Sequence, residues 1–159
     1  MAGRESKGLA YASKEIFRNA NYILTPTQKN NRVNINILEC IIKDLGCKNV
    51  VKIDPRTHDE IIAYTSHLPH IISAALMNSD NLPIETEKFI AGGFKDVTRI
   101  ADANSDLWAE LLLGNVDNII NKLEIFEQNI KGIKNALKEK NESFIKAKFE
   151  SAGERRREM

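Results

Sequence analysis

The chain has 159 residues, 28% of them charged and 42% hydrophobic, and carries a net charge of +1. That length allows one ordinary core and a small second unit, and the near-neutral charge argues against a nucleic-acid surface. No apolar run approaches the ~18 residues of a membrane span, and no apolar signal segment opens the chain. Cys40 and Cys47 fit neither a CxxC nor a zinc pattern, so they read as reduced thiols of a cytoplasmic protein.

Met1 to Asn19 is polar and unpatterned, a loop with one helical turn at Ser13 to Phe17. Tyr22 to Thr25 is rich in strand formers and ends at Pro26. Val33, Ile37, Leu38, Ile41, Ile42 and Leu45 then recur at helical spacing, with Gly46 placed just past the helix end. Val50 to Ile53 is a second strand, so residues 1–54 contain a β-α-β unit. Two strands alone are marginal, and these read as the edge of a larger sheet whose other strands would precede Met1.

Asp54 suits a helix N-cap and Pro55 the first helical position. Ile61, Ile62, Tyr64, Leu68, Ile71, Ile72, Ala75 and Leu76 mark a long helix, and Pro69 inside it should kink the axis near Thr65. Pro83 should start a short helix that ends at Gly92-Gly93, and a turn at Asn104-Ser105 should separate two short helical pieces. Ile119, Leu123, Phe126, Ile130, Ile133 and Leu137 alternate spacings of four and three, with Phe144 a heptad further on. Unbroken from Val116 to about Lys148, that helix would be ~50 Å long and would need a partner, so a homodimer is expected. Residues 55–150 form the helical domain in this reading, and 151–159 a charged, frayed tail.

Asp96 and Arg99 are three apart, so on a helix they share a face and can pair. The planar fork of Arg99 suits a carboxylate, although spacing alone favours an ordinary ion-paired surface arginine. His67 and His70 are also three apart. No third ligand is spaced to complete a metal site, and each more commonly donates to a backbone carbonyl. Gly92 either admits close approach of a ligand or ends a helix. Trp108, beside Leu107 and Leu111, reads as a core residue. No GxGxxG follows a strand, so the dinucleotide fingerprint is absent.

Three segments carry a resemblance. GGFKDVTRIA, from Gly92 to Ala101, with Trp108 beyond it, resembles the substrate-binding segment of the prephenate dehydrogenases. Tyr64-Thr-Ser-His-Leu-Pro-His70 resembles that family's SHLPH helix, and Met1-Ala-Gly-Arg-Glu5 is similar to its HPxAG(x)E segment without the first two residues. The three stand in the family's order and span essentially the whole chain.

The resemblance implies a mainly α fold. A helical dimerisation domain, like the C-terminal domain of 6-phosphogluconate dehydrogenase, would follow a β-α-β remnant of a Rossmann domain. It further implies NAD-dependent oxidative decarboxylation of prephenate to 4-hydroxyphenylpyruvate, in tyrosine biosynthesis. Arg99 would anchor a substrate carboxylate, held in an ion network by Asp96 and Glu5. His67 would hydrogen-bond the substrate, with Gly92 close by and His70 structural. The family's catalytic histidine, in the pair that would precede Met1, and most of the NAD site are missing. The chain therefore reads as the C-terminal portion of such an enzyme, inactive alone. An arogenate-preferring fragment and a non-catalytic helical dimerisation module are the alternatives.

Overall fold

The computed structural model describes residues 8–81 and 84–159, so Glu5 and Pro83 lie outside the described residues. The first unit is a parallel strand pair and the helix that joins it. Strand β1 (Asn21–Leu24) runs beside β2 (Asn49–Lys52) in the register Asn21 to Asn49 through Leu24 to Lys52. At the open end of the pair the Asn49 side-chain amide donates to Asn21 Oδ1 at 2.8 Å.

Helix α1 (Arg32–Asp44) starts where Asn31 Oδ1 accepts from the Val33 N–H at 2.8 Å. It ends where Gly46 takes φ 86°. The Gly46 N–H then reaches the Lys43 carbonyl and the Cys47 N–H the Ile42 carbonyl, which satisfies two orphan acceptors of the last turn. Ile42 is the most enclosed large side chain of this unit, at 1% exposure.

The helical part begins at α2 (Pro55–Ile62), where the Asp54 carboxylate accepts from the backbone and hydroxyl of Thr57. Those two bonds stabilise the charged form and hold the Asp54 pKa below its ordinary value. The kink expected at Pro69 is a π turn over Ala63–His67, followed by α3 (Leu68–Met77). Proline cannot donate to the Thr65 carbonyl four residues back, so the chain widens for one turn and the Leu68 N–H bonds to Ala63 instead. The Thr65 hydroxyl adds a bond to the Ile61 carbonyl at 2.9 Å.

Two expectations need correction beyond this point. Gly92-Gly93 do not end a helix: Ala91 is the N-cap and the glycines open α4 (Gly92–Thr98). A 3-10 turn (Arg99–Ala101) and α5 (Ser105–Leu113) come next, the latter capped by Asn104. The long final helix is also not continuous. Helix α6 (Val116–Lys138) stops at a turn in which Lys140 adopts φ 54°, and α7 (Glu142–Arg157) folds back on it.

Asn141 makes that turn work in both directions. Its N–H closes α6 on the Ala136 carbonyl at 2.8 Å, and its side chain caps α7 at the Phe144 N–H. The Phe144 ring lies over α6 at Gly132, 3.5 Å from where a Cβ would stand, an ordinary packing distance. The charged segment expected to fray belongs to α7, which stays helical to Arg157.

Ala63, Leu68, Ile119 and Ala136 are the buried apolar side chains of the helical part among the described residues. They centre on the π turn, where α2, α3 and α6 converge. No helix among the described residues is long and apolar enough to cross a membrane, and none of their acidic, histidine or cysteine side chains form a metal-holding group.

Candidate functional site

The π turn and α3 put His67, His70 and Ser73 on one side of the helix, at successive steps of three residues. Trp108 of α5 covers the two histidines. Its ring stacks on His70 with centroids 3.7 Å apart and meets His67 edge-on at 6.0 Å. Trp108 is thus half-buried and bound to this cluster rather than being the core residue expected from its neighbours. His70 Nδ1 lies 2.8 Å from the Ser66 carbonyl, which can only accept. Nδ1 therefore carries the proton, and the role expected for His70, donation to the backbone, is the one it has.

His67 is different. It is 6% exposed, yet its Nδ1 has no hydrogen-bond partner among the described residues. Burial holds its pKa below the ordinary 6.5, and the neighbouring charge of His70 adds to that effect. Asp59 opposes the shift, and His58 reinforces it weakly. Ser73 Oγ is likewise buried and unpartnered among the described residues, at 0% exposure. Sequence reading passed over Ser73, whose one signal was its place on the histidine face.

The depressed pKa has a consequence for stability. Below pH 6.5 the unfolded chain binds a proton at this position more readily than the folded one does. Stability from this group is therefore complete above 6.5 and declines as pH falls toward the lower folded value. Urea midpoints at about pH 7.5 and pH 5.5 should show a smaller pH-dependent loss in His67→Gln than in wild type. Equal losses in the two proteins would contradict the assignment.

Helix α4 and the 3-10 turn that Arg99 begins both pack against α3. Gly92, Asp96 and Arg99 are all exposed on this segment. The guanidinium and the ring cluster therefore stand on elements that hold each other in place. Gly92 and Gly93 leave open space where a Cβ would go, and neither has positive φ. A groove of about 820 Å³ lies elsewhere, between α2, the π turn, α6 and α7. It is lined by Tyr64, Leu68, Phe126 and the Lys122–Glu60 ion pair, and by neither Arg99 nor the histidines. Arg155 of α7 also lines this groove, but no buried, unsatisfied ring nitrogen does.

The chain is similar to known proteins along its whole length. Residues 54–150 match the family described as "Prephenate dehydrogenase, dimerization domain", and residues 1–51 match "Prephenate dehydrogenase, nucleotide-binding domain". The prephenate dehydrogenase of Bacillus subtilis (strain 168) is 33% identical over 156 residues, covering 96% of this chain and 42% of that enzyme. The chain thus spans less than half the length of that relative. The crystal structure of prephenate dehydrogenase from A. aeolicus, in complex with hydroxyphenyl propionate and NAD+, superposes with a TM-score of 0.87 at 28% identity. That match covers 100% of this chain and 57% of the other. Synechocystis arogenate dehydrogenase shares the fold, with a TM-score of 0.82 at 24% identity over 99% of this chain and 59% of the other.

Proposed function

The chain belongs to the prephenate dehydrogenase family, and on that footing we propose that it is the substrate-recognition and dimerisation portion of an enzyme that oxidatively decarboxylates prephenate. In this reading Arg99 grips a carboxylate of the ring substrate through its two-pronged guanidinium. Asp96, and Glu5 outside the described residues, orient that fork. His67 completes a hydrogen bond to the substrate, and the open Gly92 leaves room for the ligand's approach. His70 and Trp108 fix the orientation of the His67 ring.

One observation carries the reading: a histidine that is buried to 6% exposure and still has an unmet ring nitrogen, among the described residues, on the turn leading into the helix that the Arg99 segment packs against. An unpaired buried polar atom is costly in a folded protein unless a ligand or partner completes it. Homodimerisation through residues 54–150 and a cytoplasmic location belong to the same proposal; the family description of those residues supports the first.

In this reading the residues present supply no pyrophosphate cradle for NAD. In a Rossmann unit a glycine-rich turn between the first strand and its helix cradles the pyrophosphate. Here the segment from Thr25 to Asn31, between β1 and α1, contains no glycine. No hydride step is assigned to this chain, and most of the NAD site lies outside it in this reading. The purified chain, given prephenate and NAD, should form no NADH above a protein-free control while still binding hydroxyphenyl propionate saturably. NADH formation would refute the division of labour, and absence of binding would favour a non-catalytic dimerisation module.

A further inference from the structure

The geometry points to a second small-molecule site, separate from the Arg99 segment. The groove between α2, the π turn, α6 and α7 takes a monocarboxylate with an unbranched apolar tail. Its carboxylate meets Arg155, and its tail lies along Tyr64, Leu68, Ile125 and Phe126.

The π turn builds one wall of this groove. Its extra residue widens the backbone between α2 and α3, and turns of this kind are frequent at functional sites. His67 joins the ring cluster with Trp108, whereas Tyr64 and Thr65 of the same turn line the groove. Helix α6 supplies another wall through Ile125 and Phe126, and α7, folded back on α6, adds Arg155. The volume of about 820 Å³ falls within the roughly 300–1,000 Å³ of small-molecule sites. Tyr64 and Ile125 are each 49% exposed, so an apolar tail laid against them removes real apolar surface from water.

The polar groups select the charge of the ligand. Glu60, the acid among the described lining residues, is engaged by Lys122 at 2.7 Å. Arg155 is exposed and makes no ion pair or hydrogen bond among the described residues. The groove thus offers one uncommitted guanidinium beside an apolar lining, which matches one carboxylate and one apolar chain. A dianion would leave its second charge unpaired against apolar side chains, so ligands of the prephenate kind are disfavoured here. Arg155 also lies beyond residues 54–150, the extent of the dimerization-domain match, so that match assigns it no role.

Isothermal titration of the full chain with decanoate reads this directly. One decanoate should bind per protomer, and hexanoate should bind at least about tenfold more weakly because it buries fewer methylenes. Arg155→Ala should weaken decanoate about tenfold through the lost charge-assisted bonds. Ile125→Asp should abolish saturable binding, since a second carboxylate would stand on the apolar wall. Both positions are exposed, so the circular dichroism of the two variants should match wild type. Arg99→Ala should bind decanoate as wild type does, so this site and the proposed substrate site fail separately. Absence of saturable binding by wild type would overturn the site, and so would binding that Arg155→Ala or Ile125→Asp leaves unchanged. Loss of decanoate binding in Arg99→Ala would overturn it by placing the ligand at the other site. Affinity that falls as protomer concentration rises would overturn it by giving the groove to a second copy of the chain.

Discussion

Hydroxyphenyl propionate or prephenate should protect the wild-type chain thermally, and replacing Arg99 by alanine should remove nearly all of that protection. A guanidinium gripping a carboxylate makes two charge-assisted hydrogen bonds, each contributing about 1.5–3 kcal/mol. Loss of both should weaken binding by about a hundredfold or more. At ligand a hundredfold above its Kd, wild type gains about 2.7 kcal/mol of stability, or roughly 5–10 °C in Tm for a chain of this size. The alanine variant at the same concentration should gain about 1 °C. Because Arg99 is exposed, its removal should cost the unliganded fold little, which separates recognition from folding. Arg99→Lys keeps the charge but not the fork and should recover only part of the protection. Undiminished protection in Arg99→Ala would remove this residue from the site.

The second large effect is expected at Trp108. Its ring stacks on His70 and meets the edge of His67, so Trp108→Ala would open a void beside a histidine with an unmet ring nitrogen. Large-to-small changes of this kind cost about 3 kcal/mol, of which the lost ring stacking is about 1 kcal/mol. Urea unfolding at one fixed protomer concentration should show that loss, and Trp108→Phe should return most of it. Ligand protection should fall in Trp108→Ala as well, since the His67 ring loses the surface that orients it. A stability change below about 1 kcal/mol would mean the cluster is not held by this ring.

Local chemistry made much of the fold legible. Gly46 closes α1, Asp54-Pro55 opens α2, and Pro69 produces a π turn close to the expected kink. Each of these acts through its own backbone or a neighbour a few residues away. The failures have equally specific causes. Gly92-Gly93 looked like a helix end because glycine is common there, but both residues have negative φ, and Ala91 rather than a polar side chain caps the start. The break after Lys138 was hidden because a lysine, not a glycine or asparagine, adopts the left-handed conformation at residue 140. Periodicity ran through the turn because α7 returns Phe144 to the surface of α6 at Gly132.

Of the proposed site, Arg99, Asp96 and Gly92 stand in one short segment, and that segment packs on the helix that continues from His67. What spacing could not give was the pairing of Trp108 with both histidines, which joins elements some forty residues apart in the chain. Nor could it reveal that His67 is left unsatisfied while His70 meets the Ser66 carbonyl. Unmet hydrogen-bonding capacity is a property of packing, and no residue pattern announces it.

Calorimetric titration of the wild-type chain with prephenate, in the absence of NAD, tests the central claim most directly. The expected result is saturable binding of one ligand per protomer that Arg99→Ala and His67→Gln each weaken. No measurable binding by a folded dimer, or binding that neither substitution alters, would contradict it.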